Sequence, residues 1–289
     1  MNKLPNLAIV TPFYNEKRAL PDYLEHLKNL DYPKSKLGIS WVDNSSTDNT
    51  LSLLKAYRRQ FGSKYKWFRI RQTPHLKSLK LSFEGHNNIV ISVRTMIKDI
   101  KEDCVFIGAD CYPPPNGILR LNYLVQKKGA DIAGGITLVG GGNINTGRYK
   151  LSNVPVISAY FYKPQKETFE SISLVKRTKP HLLIIPAKLV NNRFKVGGVG
   201  TGFAFIKREV LDNIPFEFSA KFGEDLWFCL MARMQGYRIW VDTSLWYEHW
   251  HIVYRRRMLR DGRLQVETVA KRDKKTGSRT DIYSGRIRV

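Results

Sequence analysis

A chain of 289 residues is long enough to bury one large core or two small ones, and its 43% hydrophobic and 12% aromatic content excludes an intrinsically disordered protein. No apolar run approaches the roughly 20 residues of a membrane-spanning helix, and the opening MNKLPNLAIVTPFYNE lacks the apolar core and cleavage site of a signal peptide, so the expectation is a soluble, cytoplasmic protein. The 48 Lys plus Arg against 25 Asp plus Glu, +23 at pH 7, favour an anionic partner without choosing among nucleic acid, acidic lipid and phosphorylated substrate.

In chain order, LAIVT (7–11) has strand length, and residues 17–29 carry Leu20, Leu24 and Leu27 at helical spacing. GISWVD (38–43) reads as a second strand and residues 47–57 as a helix. A third strand covers 67–70, and 89–100 is helical, with Ile89, Val93, Met96, Ile97 and Ile100 along one side. CVFIGAD (104–110) is a fourth strand, stopped by Pro113, Pro114 and Pro115; a helix over 116–126 and a strand over 130–136 follow. Such alternation predicts an α/β fold with a mostly parallel, Rossmann-like sheet flanked by helices.

Farther on, the Gly- and Asn-rich stretch 139–153 reads as a mobile loop, and 154–195 shows no firm pattern. Residues 196–211 read as a strand running into a helix, and 222–242 as a helix opened by acidic residues, ended at Gly236 and followed by a strand. Residues 253–289 form a tail with twelve Lys/Arg and four Asp/Glu. It is expected either as a basic helix with a frayed end or as a segment lying on an acidic membrane surface. Cys104, Cys111 and Cys229 match no zinc spacing and are expected to be reduced, partly buried thiols.

Parallel α/β sheets bind ligands beyond the carboxyl ends of their strands, so the residues just after each strand are the ones to inspect. They are Thr11-Pro12-Phe13-Tyr14-Asn15-Glu16 after the first, Asp43 to Thr50 after the second, and Gly108-Ala109-Asp110-Cys111 after the fourth. Tyrosine can stack on a base, carboxylates accept hydrogen bonds from a base or ribose, and an aspartate beside a pyrophosphate can hold a divalent cation through oxygen. Ser46, Thr47 and Asp48 have an equally ordinary role in capping a helix. A second polar group comprises Glu224 and Asp225, whose place at a helix start also suits the helix dipole, and then His249 and His251.

The order TPFYNE, VDNSSTDNT, GAD followed by prolines, GTGF, GEDLWFC and a histidine motif resembles family 2 inverting glycosyltransferases of the glycosyltransferase A-type fold, over about residues 5–251. The resemblance implies a catalytic domain over 1–252, with a nucleotide-binding half (1–135) and an acceptor-binding half (136–252), followed by the basic extension 253–289. It implies that Thr11, Pro12, Tyr14 and Glu16 line the nucleotide pocket and that Asp43 bonds the base. Asp110 would match the last aspartate of the family's Asp-x-Asp motif and bind Mn or Mg, with His249 completing the metal site and His251 the competing choice. Asp225 would be the general base beside Glu224, and Gly200, Thr201 and Gly202 would lie by the acceptor and donor sugar. Gly108 stands where the family usually has its first metal-site aspartate, which leaves fewer protein ligands.

The expected reaction is sugar transfer from a nucleotide-diphosphate sugar, a UDP-sugar first, to a glycan, lipid-linked or protein hydroxyl. Arg71, Lys77, Arg94 and the run Arg255–Arg257 are further candidates for charge near the diphosphate. A retaining transferase on the same fold is the nearest alternative. A nucleic-acid-binding protein leaves the acidic strand ends unexplained and shows no familiar motif. A nucleotidyltransferase would need a Gly-rich loop after the first strand, which is missing.

Overall fold

The computed structural model describes residues 4–76, 81–142, 151–175, 182–273, 276–281 and 287–288. The expected alternation is present in the first half: β1 (Leu7–Phe13), α1 (Leu20–Lys28), β2 (Leu37–Asp43), α2 (Thr50–Phe61), β3 (Trp67–Gln72), α3 (Leu81–Ile97), β4 (Asp103–Ile107), β5 (Cys111–Tyr112), α4 (Gly117–Lys128) and β6 (Ile132–Ile136). The main sheet has eight strands in the order Arg193–Lys195, Ile239–Trp246, β6, Phe203–Ile206, β4, β1, β2, β3. Pairing is parallel among β4, β1, β2 and β3 and between β6 and Ile239–Trp246. Strand Phe203–Ile206 runs antiparallel between β4 and β6.

Strand alternation divides the core between the two faces of this sheet. From β1, Ala8 and Val10 join one apolar cluster with Val90, Val93 and Met96 of α3 and Phe228 and Cys229 of the helix Gly223–Met234. Leu7, Ile9 and Phe13 join the other with Leu20 of α1, Leu54 of α2 and Leu121 of α4. Helices therefore cover both faces, and the strand ends remain for polar chemistry. All three cysteines are free and buried.

Two expectations need correction. The stretch 139–153 is not one loop: strands Leu138–Gly142 and Leu151–Ile157 pair antiparallel, because backbone pairing from Leu138 and Ile157 overrides the weak strand preference of Gly and Asn. Residues 143–150 lie outside the described residues. Where described, the basic stretch after 252 is not helical either. Strands Ile252–Met258 and Leu264–Arg272 form a hairpin that pairs with Leu182–Ile185 in a second sheet. Leu264, Val266 and Thr268 are buried and alternate with the more exposed Gln265 and Glu267. That period of two is a strand signal, which the density of arginine obscures.

Candidate active site

Topology brings the polar clusters to one edge. The parallel strands β1, β2 and β4 end there, and so does Ile239–Trp246. The antiparallel strand Phe203–Ile206 begins there, which places Gly200, Thr201 and Gly202 beside Gly108; the Gly108 amide donates to the Gly202 carbonyl at 2.9 Å. The residues after Trp246 return across β5, and the Trp250 amide donates to the Asp110 carbonyl at 2.8 Å. Between these segments lies a cavity of about 590 Å³, within the usual size for a small-molecule site. Pro12, Tyr14, Glu16, Asp110 and His249 line it, as do Gly200, Thr201, Gly202, Glu224 and Asp225.

At one end, Tyr14 is 36% exposed and stacks on His75, with ring centroids 4.1 Å apart and planes 10° from parallel. His75 Nδ1 pairs with Asn44 Oδ1 at 2.5 Å, while the Asn44 amide donates to Thr73 Oγ1 and the Pro74 carbonyl. This is a rigid, flat platform with a polar rim. Asp43 is fully buried; its Oδ2 accepts from the Ser46 amide at 3.1 Å, and its Oδ1 has no hydrogen-bond partner among the described residues. A buried acceptor left open in this way is costly unless a ligand donor fills it. Thr11 is a correction to the expected nucleotide-binding set. Its hydroxyl meets Tyr23 Oη at 2.7 Å inside the core, because Thr11 projects from the β1 face opposite to that of Val10 and Pro12, which line the cavity.

Ser46, Thr47 and Asp48 take the structural role. Ser46 Oγ accepts from the Asn15 amide, the Thr47 amide donates to Asn15 Oδ1, and Asp48 accepts from the Thr50 amide at the start of α2 and from the Lys17 amide. They tie the loop after β1 to the loop after β2 and hold Tyr14 and Glu16 in place.

Both histidines reach the same oxygen: Asp110 Oδ2 lies 3.1 Å from His251 Nε2 and 3.5 Å from His249 Nε2. Carboxylate oxygen and imidazole nitrogen are donors that suit a divalent cation such as Mn. Asp110, Cys111 and His249 also place one ligand atom each within 4.8 Å of one another. The Cys111 thiol faces the other oxygen of Asp110 at 3.5 Å, and burial, then the Asp110 charge, pushes its proton affinity well up; a protonated soft sulfur is a poor ligand for Mn or Mg. Gly108 now has a steric cause. A Cβ there would stand 2.9 Å from Cys111 Sγ and 3.3 Å from Asp110 Oδ1, so an aspartate does not fit without displacing them. A Cβ on Gly202 would meet the Tyr247 hydroxyl at 2.8 Å.

The acid pair sits in the first turn of the helix Gly223–Met234. Asp225 accepts from the Thr201 amide at 3.1 Å and from Thr201 Oγ1 at 2.5 Å. Burial, reinforced by the charge of Glu224, raises its carboxyl to about 7 against the pull of the Thr201 bonds. Glu224, 8% exposed, pairs with His86 of α3. His75 and His86 are site residues that the sequence reading missed. Carrying β3 to Gln72 instead of 70 puts His75 among the strand-end residues, whereas His86 meets an acid 138 positions away and leaves no local signal.

Among the described residues, none of the proposed phosphate cations lines the cavity. Arg71 bonds the Thr95 and Lys98 carbonyls and Asp99. Arg94 bonds the Phe216 carbonyl and Glu217. Both lie along a separate shallow groove. Arg255–Arg257 are on the exposed hairpin, and Lys77 lies outside the described residues. The described cavity wall contains four carboxylates and no Lys or Arg.

Comparison with known proteins agrees with this geometry. The chain is 22% identical over 262 residues to a poly(ribitol-phosphate) beta-glucosyltransferase of Bacillus spizizenii, covering 86% of this chain and 32% of that one. It is 26% identical over 134 residues to glycosyltransferase AglE of Haloferax volcanii, covering 46% and 39%. The chain thus spans about a third of the length of these curated relatives. Among solved structures, the mannosyltransferase PcManGT of Pyrobaculum calidifontis, in complex with GDP-Man and Mn2+, superposes with a TM-score of 0.51 at 16% identity over 84% of this chain and 58% of that one. GalNAc-T7 with UDP, GalNAc and Mn2+ gives 0.55 at 11% identity over 86% and 44%. These likenesses show the glycosyltransferase A-type fold. The sequence profile of glycosyl transferase family 2 matches residues 8–214, and the chain belongs to that family.

Proposed function

We propose that this chain transfers a sugar from a nucleotide-diphosphate donor, a UDP-sugar first, to a hydroxyl acceptor with inversion at the anomeric carbon. The observation that carries the reading is the cavity itself. It brings together an aromatic platform, a carboxylate met by two histidines, and an acid of raised proton affinity. Tyr14 offers a face to the base, and Asp43 Oδ1 accepts a ring N–H, such as uracil presents. Asp110, His249 and His251 are the residues that would hold a divalent cation, Mn or Mg; PcManGT and GalNAc-T7 were solved with Mn2+. When bound there, the ion supplies Lewis-acid charge to the leaving diphosphate.

Asp225 takes the proton of the acceptor hydroxyl as that oxygen attacks the sugar from the face opposite the nucleotide. Its raised affinity makes it a stronger base than an exposed aspartate. The two Thr201 bonds fix its orientation, and Gly200 lets the acceptor approach closely. A thermal-shift screen of UDP-, GDP- and TDP-sugars with and without Mn tests the reading, since a ligand of the folded state raises the melting temperature. A UDP-sugar shift that requires Mn is expected; no shift with any donor would overturn it.

The hairpin supports a peripheral seat on the cytoplasmic face of an anionic membrane, which suits a lipid-linked acceptor. Arg255, Arg256, Arg257 and Arg260 are exposed around the half-exposed Met258, and basic residues near such a surface contribute about 1 kcal/mol each. Co-sedimentation with phosphatidylserine vesicles is expected and should fall when the three consecutive arginines are changed to glutamine. Negligible pelleting of both proteins would end the membrane idea.

A further inference from the structure

Two acids stand side by side at the start of the helix Gly223–Met234, yet their surroundings differ. Asp225 turns to Thr201 and to Gly200, whose added Cβ would lie 3.7 Å from Asp225 Oδ2. Glu224 turns sideways to His86, which pairs through Nδ1 with Glu224 Oε2. The His86 ring is itself held, stacked on Phe218 with centroids 4.8 Å apart and planes 20° from parallel. The favourable field of a helix N-terminus explains an acid in this turn. It does not explain why a buried acid is met by an aromatic cation carrier from another helix.

We propose that His86 is a positioning residue for the transfer reaction: its ring holds the Glu224 carboxylate and so fixes the turn from which Asp225 faces the acceptor. The inference rests on the reading of Asp225 as the base. A buried carboxylate with no partner is costly, so losing His86 drives Glu224 to turn outward, and that change moves its neighbour. Glu224 and Asp225 are among the charges that act on His86. Burial, the largest single influence, lowers the proton affinity of His86, but the Glu224 hydrogen bond and the two acidic charges outweigh it, so the affinity is raised. The shift favours the charged ring, the form in which the pair with Glu224 is strongest.

The test combines an NMR titration with a double-mutant cycle. The His86 imidazole signal is followed with pH in the intact protein and in Glu224→Gln; a midpoint above the ordinary 6.5 that falls in the variant is expected. Turnover is read as nucleotide release from UDP-glucose, UDP-N-acetylglucosamine and GDP-mannose. His86→Ala should lower turnover about 10- to 100-fold, the scale of a misplacement near 1 Å, with the donor KM within about twofold. His86→Asn keeps an N–H donor near the Nδ1 position and should restore much of the loss. The double variant His86→Ala/Glu224→Ala should lose no more than Glu224→Ala alone, because a residue acting through its partner is not additive with it.

Additive losses, wild-type turnover in His86→Ala, or a His86 midpoint unmoved by Glu224→Gln would each overturn the proposal. Asp225→Asn, assayed in the same series, reports separately on the base: wild-type turnover there overturns that reading and not the Glu224 pairing, which the titration alone decides.

Discussion

Asp225→Asn separates catalysis from stability, and the structure gives a sign for each. The amide keeps the shape of the side chain and one carbonyl oxygen for the Thr201 amide, so the turn survives. It has no basic oxygen, and loss of a general base costs about 10²–10⁴-fold in rate. Stability should move the other way. A carboxyl shifted from the ordinary 3.8 to about 7 binds its proton more tightly in the folded chain than in the unfolded one. Folding stability from this group is then full below pH 4 and is lost as pH rises toward 7. At about 1.36 kcal/mol per pH unit the loss is at most roughly 4 kcal/mol, shared with the adjacent Glu224 charge. Asp225→Asn removes it, so the variant should melt higher than wild type at pH 8, and the gap should close near pH 4. The assays are nucleotide release from a UDP-sugar and melting curves from pH 4 to 8. Near-normal turnover, or a variant that melts lower than wild type by the same amount at every pH, would refute the reasoning.

Other outcomes follow from single contacts. The wild-type rate should fall on the acid side as pH drops through about 7, where the Asp225 carboxyl gains its proton; a flat rate from pH 8 to 5 would count against it as base. Tyr14→Ala removes the exposed face of the stacked platform and should weaken UDP binding about tenfold or more, since base–aromatic stacking contributes about 1–3 kcal/mol; calorimetry with UDP and Mn reads this directly, and an unchanged Kd would move the base elsewhere. Gly108→Ala drives a methyl against Cys111 Sγ and should cost about 1–3 kcal/mol of stability. Cys111→Ala in the same chain should recover part of that loss, and melting curves of the four combinations check it.

The sheet and its binding edge were legible because they rest on local pattern. Apolar runs such as 7–11 and 104–107 announce strands, and a strand end in a parallel sheet dictates where ligands go. That rule brought Tyr14, Glu16 and Asp110 to one place, and it misassigned Thr11 only because position on a strand end does not say which face a side chain takes. The hairpin at 252–272 was misread because its arginines hide the alternation of Leu264, Val266 and Thr268. His86 was invisible for a different reason. Its role is a contact between α3 and a helix far along the chain, and a lone histidine in a helical pattern carries no sign of its partner.

The surplus of 23 positive charges is the feature most easily misread, because the candidates among the described residues lie away from the chemistry. Arg71 and Arg94 spend their guanidinium donors on carbonyls and surface acids, and the run Arg255–Arg257 rides on an outer strand. The described cavity wall carries Glu16, Asp110, Glu224 and Asp225 and no Lys or Arg. Two like unit charges about 6 Å apart repel by roughly 3 kcal/mol at an effective dielectric near 20. A bare diphosphate entering this wall would meet several such terms. Overall charge can draw an anionic donor or membrane toward the protein. Among the described residues the wall itself supplies no cation to the leaving group, and the convergence of His249 and His251 on Asp110 is where those residues offer to hold one.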